Sequence, residues 1–148
     1  MPHRDALQLA KAVGAKIYEL DRASLALGMK LEDVGVGYGK MSMRVRPDML
    51  NGHGTCHGGY IFTLADSTFA YACNSHNQVA VAAGCNIEYL RPVQEGDVLT
   101  ATANQVALVG RNGISDIVVT NQHGEIVATF RGKSVRIKGH IVEASGQE

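Results

Sequence analysis

Between Asp48 and Glu88 the chain carries one Asp, Glu, Lys or Arg, which is Asp66. It sits within Gly59-Tyr-Ile-Phe-Thr-Leu-Ala-Asp-Ser-Thr-Phe-Ala-Tyr-Ala-Cys73, apolar on nearly every side. A helix apolar all round has to be surrounded by the rest of the fold. The run therefore predicts a buried helix over Gly58–Asn74, and the other elements must wrap it. A carboxylate inside such a helix is costly unless paired or neutralised, and no cation is near it in sequence. Just ahead stands Asn51-Gly-His-Gly-Thr-Cys-His-Gly-Gly59, a loop dense in glycine and histidine. A lone buried acid beside such a loop reads as a reaction site. The plainer alternative is a core acid satisfied by Ser67, Thr63 or a partner chain.

The flanking segments supply the wrapping. Apolar positions at Leu9, Val13 and Ile17 predict a helix over residues 5–18. A short helical turn over residues 24–27 ends at Gly28. Residues 29–36 and 40–45 read as strands joined by Gly35-Val-Gly-Tyr-Gly39, with Pro47 closing the unit. After the helix, residues 78–90 form a continuous Val/Ala/Ile run, the pattern of a strand covered on both faces. Val98–Val109 alternates in period two, Asn112-Gly113 predicts a hairpin turn, and residues 114–120 and 126–137 are strands about a turn at 121–124. The tail from Gly139 reads as loose. An α+β fold satisfies this order: one antiparallel sheet wrapped around one long helix, in a single domain over residues 1–148.

Composition narrows the function classes. The 14 basic and 14 acidic residues cancel, which argues against nucleic acid or a membrane surface as partner. Cys56, Cys73 and Cys85 are an odd set without CxxC spacing, so reduced thiols and a cytoplasmic location fit best. The N-terminus shows no signal core, and no apolar stretch reaches the ~18 residues of a membrane span. His53, Cys56 and His57 lack a fourth ligand at suitable spacing, so no metal is expected. Cys56 beside His57 has no thiol-nucleophile signature around it.

The Gly/His loop suits an oxyanion. Gly58 and Gly59 open the helix, so their N–H groups have no intrahelical partner and no Cβ blocks a ligand oxygen. The helix dipole adds to them, and Asn51 and His57 could contribute side-chain donors. Asp66 fits a general base toward water or a nucleophile toward an acyl group. Eight residues separate Gly58 from Asp66, or about 12 Å along one helix axis. A single reacting carbon cannot sit about 3 Å from both within one straight helix. The spacing therefore predicts a homodimer whose active sites lie between subunits. Arg131 and Lys133 share a strand face and Arg136 points the other way, which allows either anion binding or a solvated face.

These residues resemble the hotdog-fold acyl-CoA thioesterases, and among them the phenylacetic acid degradation family PaaI. The matching text is Asn51-Gly-His, Cys56-His-Gly-Gly59, Leu64-Ala-Asp66, Phe69-Ala-Tyr-Ala-Cys-Asn-Ser75, Leu90-Arg-Pro92, Gly96-Asp97, Leu99-Thr-Ala-Thr-Ala103, Asn121-Gln122 and Phe130-Arg-Gly-Lys-Ser134. The resemblance implies a hotdog fold, dimers joined sheet edge to edge, and a homotetramer. It implies hydrolysis of an acyl-CoA, an aryl-acetyl one, with coenzyme A as part of the substrate and no separate cofactor. Asp66 would activate water or attack the thioester. The Gly58 N–H and Asn51 from the other subunit would polarise the carbonyl, and His57 would orient the loop. Gly59, Arg91, Arg111, Asn112, Gly113, Arg131, Lys133 and Ser134 are the candidates for binding coenzyme A.

Relatives often carry a serine on the strand after the helix. The aligned stretch here is Ala82-Ala-Gly-Cys85, leaving Ser67 or Thr68 to substitute. Two other classes compete: a hotdog hydratase or dehydratase acting on enoyl or 3-hydroxyacyl thioesters, and a non-catalytic acyl-CoA binder.

Overall fold

The computed structural model describes residues 2–143. Two helices come first, α1 (Pro2–Leu20) and α2 (Arg22–Ala26). Strands β1 (Lys30–Gly35) and β2 (Tyr38–Arg44) follow, then the long helix α3 (Gly58–Asn74). The chain finishes with β3 (Ala80–Tyr89), β4 (Val98–Val109), β5 (Asn112–Thr120) and β6 (Ile126–Arg136). All six strands form one antiparallel sheet in the order β1-β2-β4-β5-β6-β3. This is the α+β arrangement that the apolar helix demanded.

Helix α3 packs across one face of the sheet, against β1 to β6. Ile61, Leu64, Ala65, Phe69, Tyr71 and Ala72 face inward, where they meet Met41, Met43, Leu99, Ala101, Ile117 and Phe130. Two glycines set how closely the helix approaches. A Cβ on Gly132 would lie 2.7 Å from the Phe69 ring, and one on Gly39 would lie 2.8 Å from the Tyr71 Cβ. Asn74 ties the helix end to β3: its Nδ2 donates to the Ala70 carbonyl, and its Oδ1 accepts from the Ala80 N–H at 2.9 Å. On the outer side, α1 packs on β1 with Gly14 against Val34. Asp21 caps α2 by accepting from the Ser24 N–H, and the Ser24 hydroxyl donates to Ser67 of α3. Among the described residues, no helix is long and apolar enough to cross a membrane.

Three expectations are corrected. The β4–β5 turn is Gly110–Arg111, two residues before Asn112-Gly113, with Val109 opposite Asn112. Gly110 takes the positive φ (+59°) that such a turn requires. Gly113 lies inside β5, buried against the Ser134 hydroxyl, so its missing Cβ serves a close approach. Secondly, the apolar run read as a strand covered on both faces is an edge strand. β3 pairs with β6 alone, and residues 81–86 are all exposed. Thirdly, the tail is held as far as it is described. Asn77, at φ 62°, donates to the Val142 carbonyl and accepts from the Ile141 and Val142 N–H groups. Residues 144–148 of the expected loose tail lie outside the described residues.

The Phe69–Gly132 contact is open to test. Gly132→Ala should lower unfolding free energy by about 1–3 kcal/mol, the usual cost of overpacking. The measurement is a shift of the denaturant midpoint at constant slope; an unchanged midpoint would refute the contact.

Candidate active site

The loop before α3 is rigidly hydrogen-bonded. The Asn51 Oδ1 accepts from the His53 and Thr55 N–H groups at 2.9 and 3.2 Å, and its Nδ2 donates to the Thr55 hydroxyl. Asn51 is thus committed to shaping its own loop, with one amide hydrogen to spare. The Cys56 N–H donates to the Val93 carbonyl and the His57 N–H to the Met49 carbonyl, anchoring both sides.

His57 is the N-cap of α3. Its Nδ1 accepts from the Gly59 N–H at 2.9 Å, so a neutral ring carries its proton on Nε2. The Tyr60 N–H donates to the His57 carbonyl. Among the described residues, Gly58 is then the one at this helix start whose N–H has no acceptor. Of the two glycines expected to offer donors, Gly58 is free and Gly59 is taken by the cap. The Gly58 carbonyl accepts from the Tyr89 hydroxyl at 3.0 Å, so the peptide joining Gly58 to Gly59 is held at both ends. Sequence reasoning missed Tyr89. Its signal was the period-two spacing from Cys85 and Ile87, which puts it on the helix-facing side of β3.

Asp66 lies on the flank of α3 that faces β3. It is half-buried, not fully buried as the apolar run suggested, because the edge strand leaves this flank partly open. Desolvation raises its pKa, and no opposite charge or hydrogen bond offsets that shift. The neighbouring thiols feel its charge: Cys73 is pushed up to about 12, first by burial and also by Asp66, and Cys85 is raised by the same two influences. Both proposed substitutes for a strand serine are engaged inside the chain. The Thr68 hydroxyl is buried and donates to the Leu64 carbonyl at 2.7 Å, while the Ser67 oxygen pairs with the Ser24 hydroxyl of α2 at 3.2 Å. Thr63 likewise donates to the Gly59 carbonyl.

The basic candidates separate into two groups. Arg131 forms a bidentate pair with Asp116 on β5, at 2.6 and 2.8 Å, which holds the Asp116 carboxyl below its ordinary range. Arg91 is paired with Glu125 at 3.2 Å. Ser134 and Gly113 are buried against each other inside the sheet and do not form a surface site. Lys133 and Asn112 are exposed on β6 and β5. Arg111 lines a cavity of about 460 Å³ with Arg136, Lys138 and Gln78. Its Nε donates to the Arg136 carbonyl, and the buried Arg136 Nε has no partner. Arg136 and Lys138 follow Arg131 and Lys133 in a stretch without acids, between Glu125 and Glu143, and were not among the candidates. Among the described residues, no three His, Cys, Asp or Glu side chains gather as a metal site.

A second cavity, of about 370 Å³, lies beside Gly58 and is lined mainly by apolar groups, including Ile61, Tyr89, Leu90, Pro92 and Val93. In the single chain, the free Gly58 N–H and the Asp66 carboxylate stand two turns apart on one helix, about 12 Å along its axis.

The family model described as Thioesterase superfamily matches residues 53–128. Acyl-coenzyme A thioesterase PaaI of Escherichia coli (strain K12) is 50% identical over 126 residues, spanning 84% of this chain and 89% of the relative. The solved structure of the E. coli PaaI protein from the phenylacetic acid degradation operon superposes with a TM-score of 0.88, at 45% identity, covering 90% of this chain and 96% of that one. A Streptococcus mutans UA159 protein bound to acetyl CoA superposes at 0.73 with 28% identity, over 76% of this chain and 90% of that one. By sequence and by fold, the chain belongs to the thioesterase superfamily and, within it, to the PaaI family of acyl-coenzyme A thioesterases.

Proposed function

We propose that this protein hydrolyses an aryl-acetyl-CoA, phenylacetyl-CoA or a hydroxylated form of it, at sites built between two copies of the chain. The observation that carries the reading is the unmatched pair on α3: a half-buried Asp66 without a partner and a Gly58 N–H without an acceptor. They are too far apart for one carbonyl, and a neighbouring chain running antiparallel supplies the missing half. The thioester oxygen accepts from Gly58 of one subunit, with Asn51 beside it and His57 holding the loop. Asp66 of the other takes a proton from water, which attacks the carbonyl carbon; the carbon–sulfur bond breaks, the proton passes to the leaving thiolate, and the products are the free acid and coenzyme A. If Asp66 attacks directly instead, the thiolate leaves first and water then hydrolyses the mixed anhydride to the same products. The E. coli relative's operon supports an aryl-acetyl group, and the acetyl CoA in the streptococcal structure supports a coenzyme A ester.

Strand β3 supports the assembly. It is long, lies at an edge, carries no charged residue from Ala80 to Ile87, and exposes Val81, Tyr89 and nearby Leu90. An exposed apolar edge is a template for pairing with another chain. The opposite edge, β1, is guarded by Lys30, Glu32 and Asp33. Isologous pairing of β3 with its copy would join the two sheets, with two such dimers forming a tetramer. The coenzyme A phosphates are assigned to the Arg111, Arg136 and Lys138 cavity, with exposed Lys133 and Asn112 near it. From that end of the sheet, β3 runs toward the flank of Asp66, about 17 Å from Ala80 to Cys85 on an extended backbone. No separate cofactor or metal is required. Three free thiols fit a reducing cytoplasm.

Three outcomes test the reading. Asp66→Asn should lower kcat for phenylacetyl-CoA by about 10²–10⁴-fold, measured as thiol release. Its melting temperature at neutral pH should equal or exceed that of the native chain. The reason is that a folded pKa raised above the unfolded value favours the fold at low pH and loses that benefit as pH rises. Retained turnover in Asp66→Asn would end the reading.

The pH profile has a definite sign as well. A base must be ionised to act, so kcat/KM should fall as pH drops through the raised Asp66 pKa. The acid limb should therefore lie above the ordinary carboxylate range, and a limb at or below that range would contradict it. Finally, Val81→Lys on the exposed edge should yield folded monomers, by light scattering, with activity lost. Active monomers would refute the shared site.

A further inference from the structure

We infer that Tyr89 is a positioning and specificity-determining residue: its hydroxyl fixes the peptide beside the Gly58 donor, and its ring walls a cavity that receives the aromatic part of the acyl group. The inference rests on the thioesterase reading above and deepens it.

The first half follows from hydrogen bonding. The oxyanion donor is the Gly58 N–H, and its direction depends on how the helix start is held. The peptide from Gly58 to Gly59 is clamped by the Tyr89 hydroxyl on its carbonyl and by His57 Nδ1 on its N–H. His57 is an exposed cap on the helix's own loop, whereas Tyr89 reaches in from another element, β3. Tyr89 is thus the bond that ties the donor to the sheet. Burial raises the Tyr89 pKa, which keeps the phenol protonated as a donor.

The second half follows from shape. The ring tip of Tyr89 stands 3.0–3.2 Å from where a Gly58 Cβ would be, so only glycine admits the ring this close. Tyr89 pairs with the buried Ala128 across β3 and β6, which turns its side chain to the helix side of the sheet. There it lines the cavity of about 370 Å³ together with Ile61, Leu90 and Pro92. That volume is in the range of small-ligand sites. A carbonyl oxygen bound at Gly58 places its acyl substituent next to this cavity. An aromatic wall favours an aromatic guest in an offset or edge-on arrangement. Tyr89 is half exposed, so its face is available in the chain.

The test compares two substitutions on two substrates, phenylacetyl-CoA and hexanoyl-CoA. Kinetics are joined by dissociation constants for the non-hydrolysable thioether analogues of both. Tyr89→Phe keeps the ring and removes the hydroxyl. It should lower kcat about twofold to tenfold for both substrates, with KM and the selectivity ratio unchanged. Tyr89→Leu removes the ring. It should cut the phenylacetyl over hexanoyl ratio of kcat/KM about tenfold and weaken the phenylacetyl analogue alone. Leu90→Trp, at an exposed cavity position, fills the space that the rigid phenyl ring would occupy and a flexible chain can avoid, so it should lower the same ratio without touching the fold. Unchanged kcat in Tyr89→Phe, or equal losses on both acyl groups in Tyr89→Leu and Leu90→Trp, would overturn the inference. Should the native protein release thiol from no acyl-CoA, the hydrolase reading fails by itself, and the analogue affinities still decide the role of Tyr89.

Discussion

Helix α3 is pressed against its sheet at two points where the strands have no side chain. Phe69 lies on Gly132 and the Tyr71 Cβ lies on Gly39, at separations no larger residue would admit. Each contact removes a large aromatic side chain from water, worth about 1.5–3 kcal/mol for a residue of this kind. Together they fix the rotation of the helix about its own axis. With Phe69 turned inward, Asp66 three residues earlier must lie on the flank toward β3. Ser67 faces α2 instead, where Ser24 meets it. The position of the acid is therefore a consequence of core packing.

The same packing leaves two polar groups of α3 unpaired among the described residues. Among the described residues, every N–H at the start of α3 has an acceptor except that of Gly58, and the one acid in the helix has no partner. An unpaired carboxylate that is only half-buried is tolerable in a single chain, where water still reaches it. Pairing along β3 would bury it further and raise its pKa further. The apolar edge, the unpaired acid and the free amide lie on one surface, and the proposed two-fold contact would answer all three.

Much of this could be read from the sequence, and the exceptions have physical causes. Residues 58–74 were recognisable because a glycine pair starts the helix and its apolar character continues to Asn74. Strand β4 was recognisable because Leu99, Ala101 and Ala103 alternate with polar neighbours. The β4–β5 turn was misplaced because Asn112-Gly113 is a strong local turn signal. Sequence alone does not reveal that Gly113 is required for contact with Ser134 from another strand. β3 was misread because an apolar run looks the same in sequence whether its strand lies inside the sheet or at its edge. Which arginine is paired depends on the strand opposite: Arg131 finds Asp116 fifteen residues away, and Arg136 finds no carboxylate among the described residues. Tyr89 escaped notice because a lone tyrosine in a strand carries no motif.

The central claim is that each active site takes Asp66 from one chain and the Gly58 N–H from another. Mixing two inactive variants tests it directly. Asp66→Asn removes the acid. Gly58→Pro removes the donor at the first helical position, where proline is tolerated, and the half-exposed Tyr89 ring has room to move aside. Refolded together in equal amounts, half of the dimers are mixed, and each of these has one intact site and one doubly defective site. The account predicts that thiol release from phenylacetyl-CoA recovers to about one quarter of the native rate. A mixture no more active than its two components would place both groups in one chain and contradict the account.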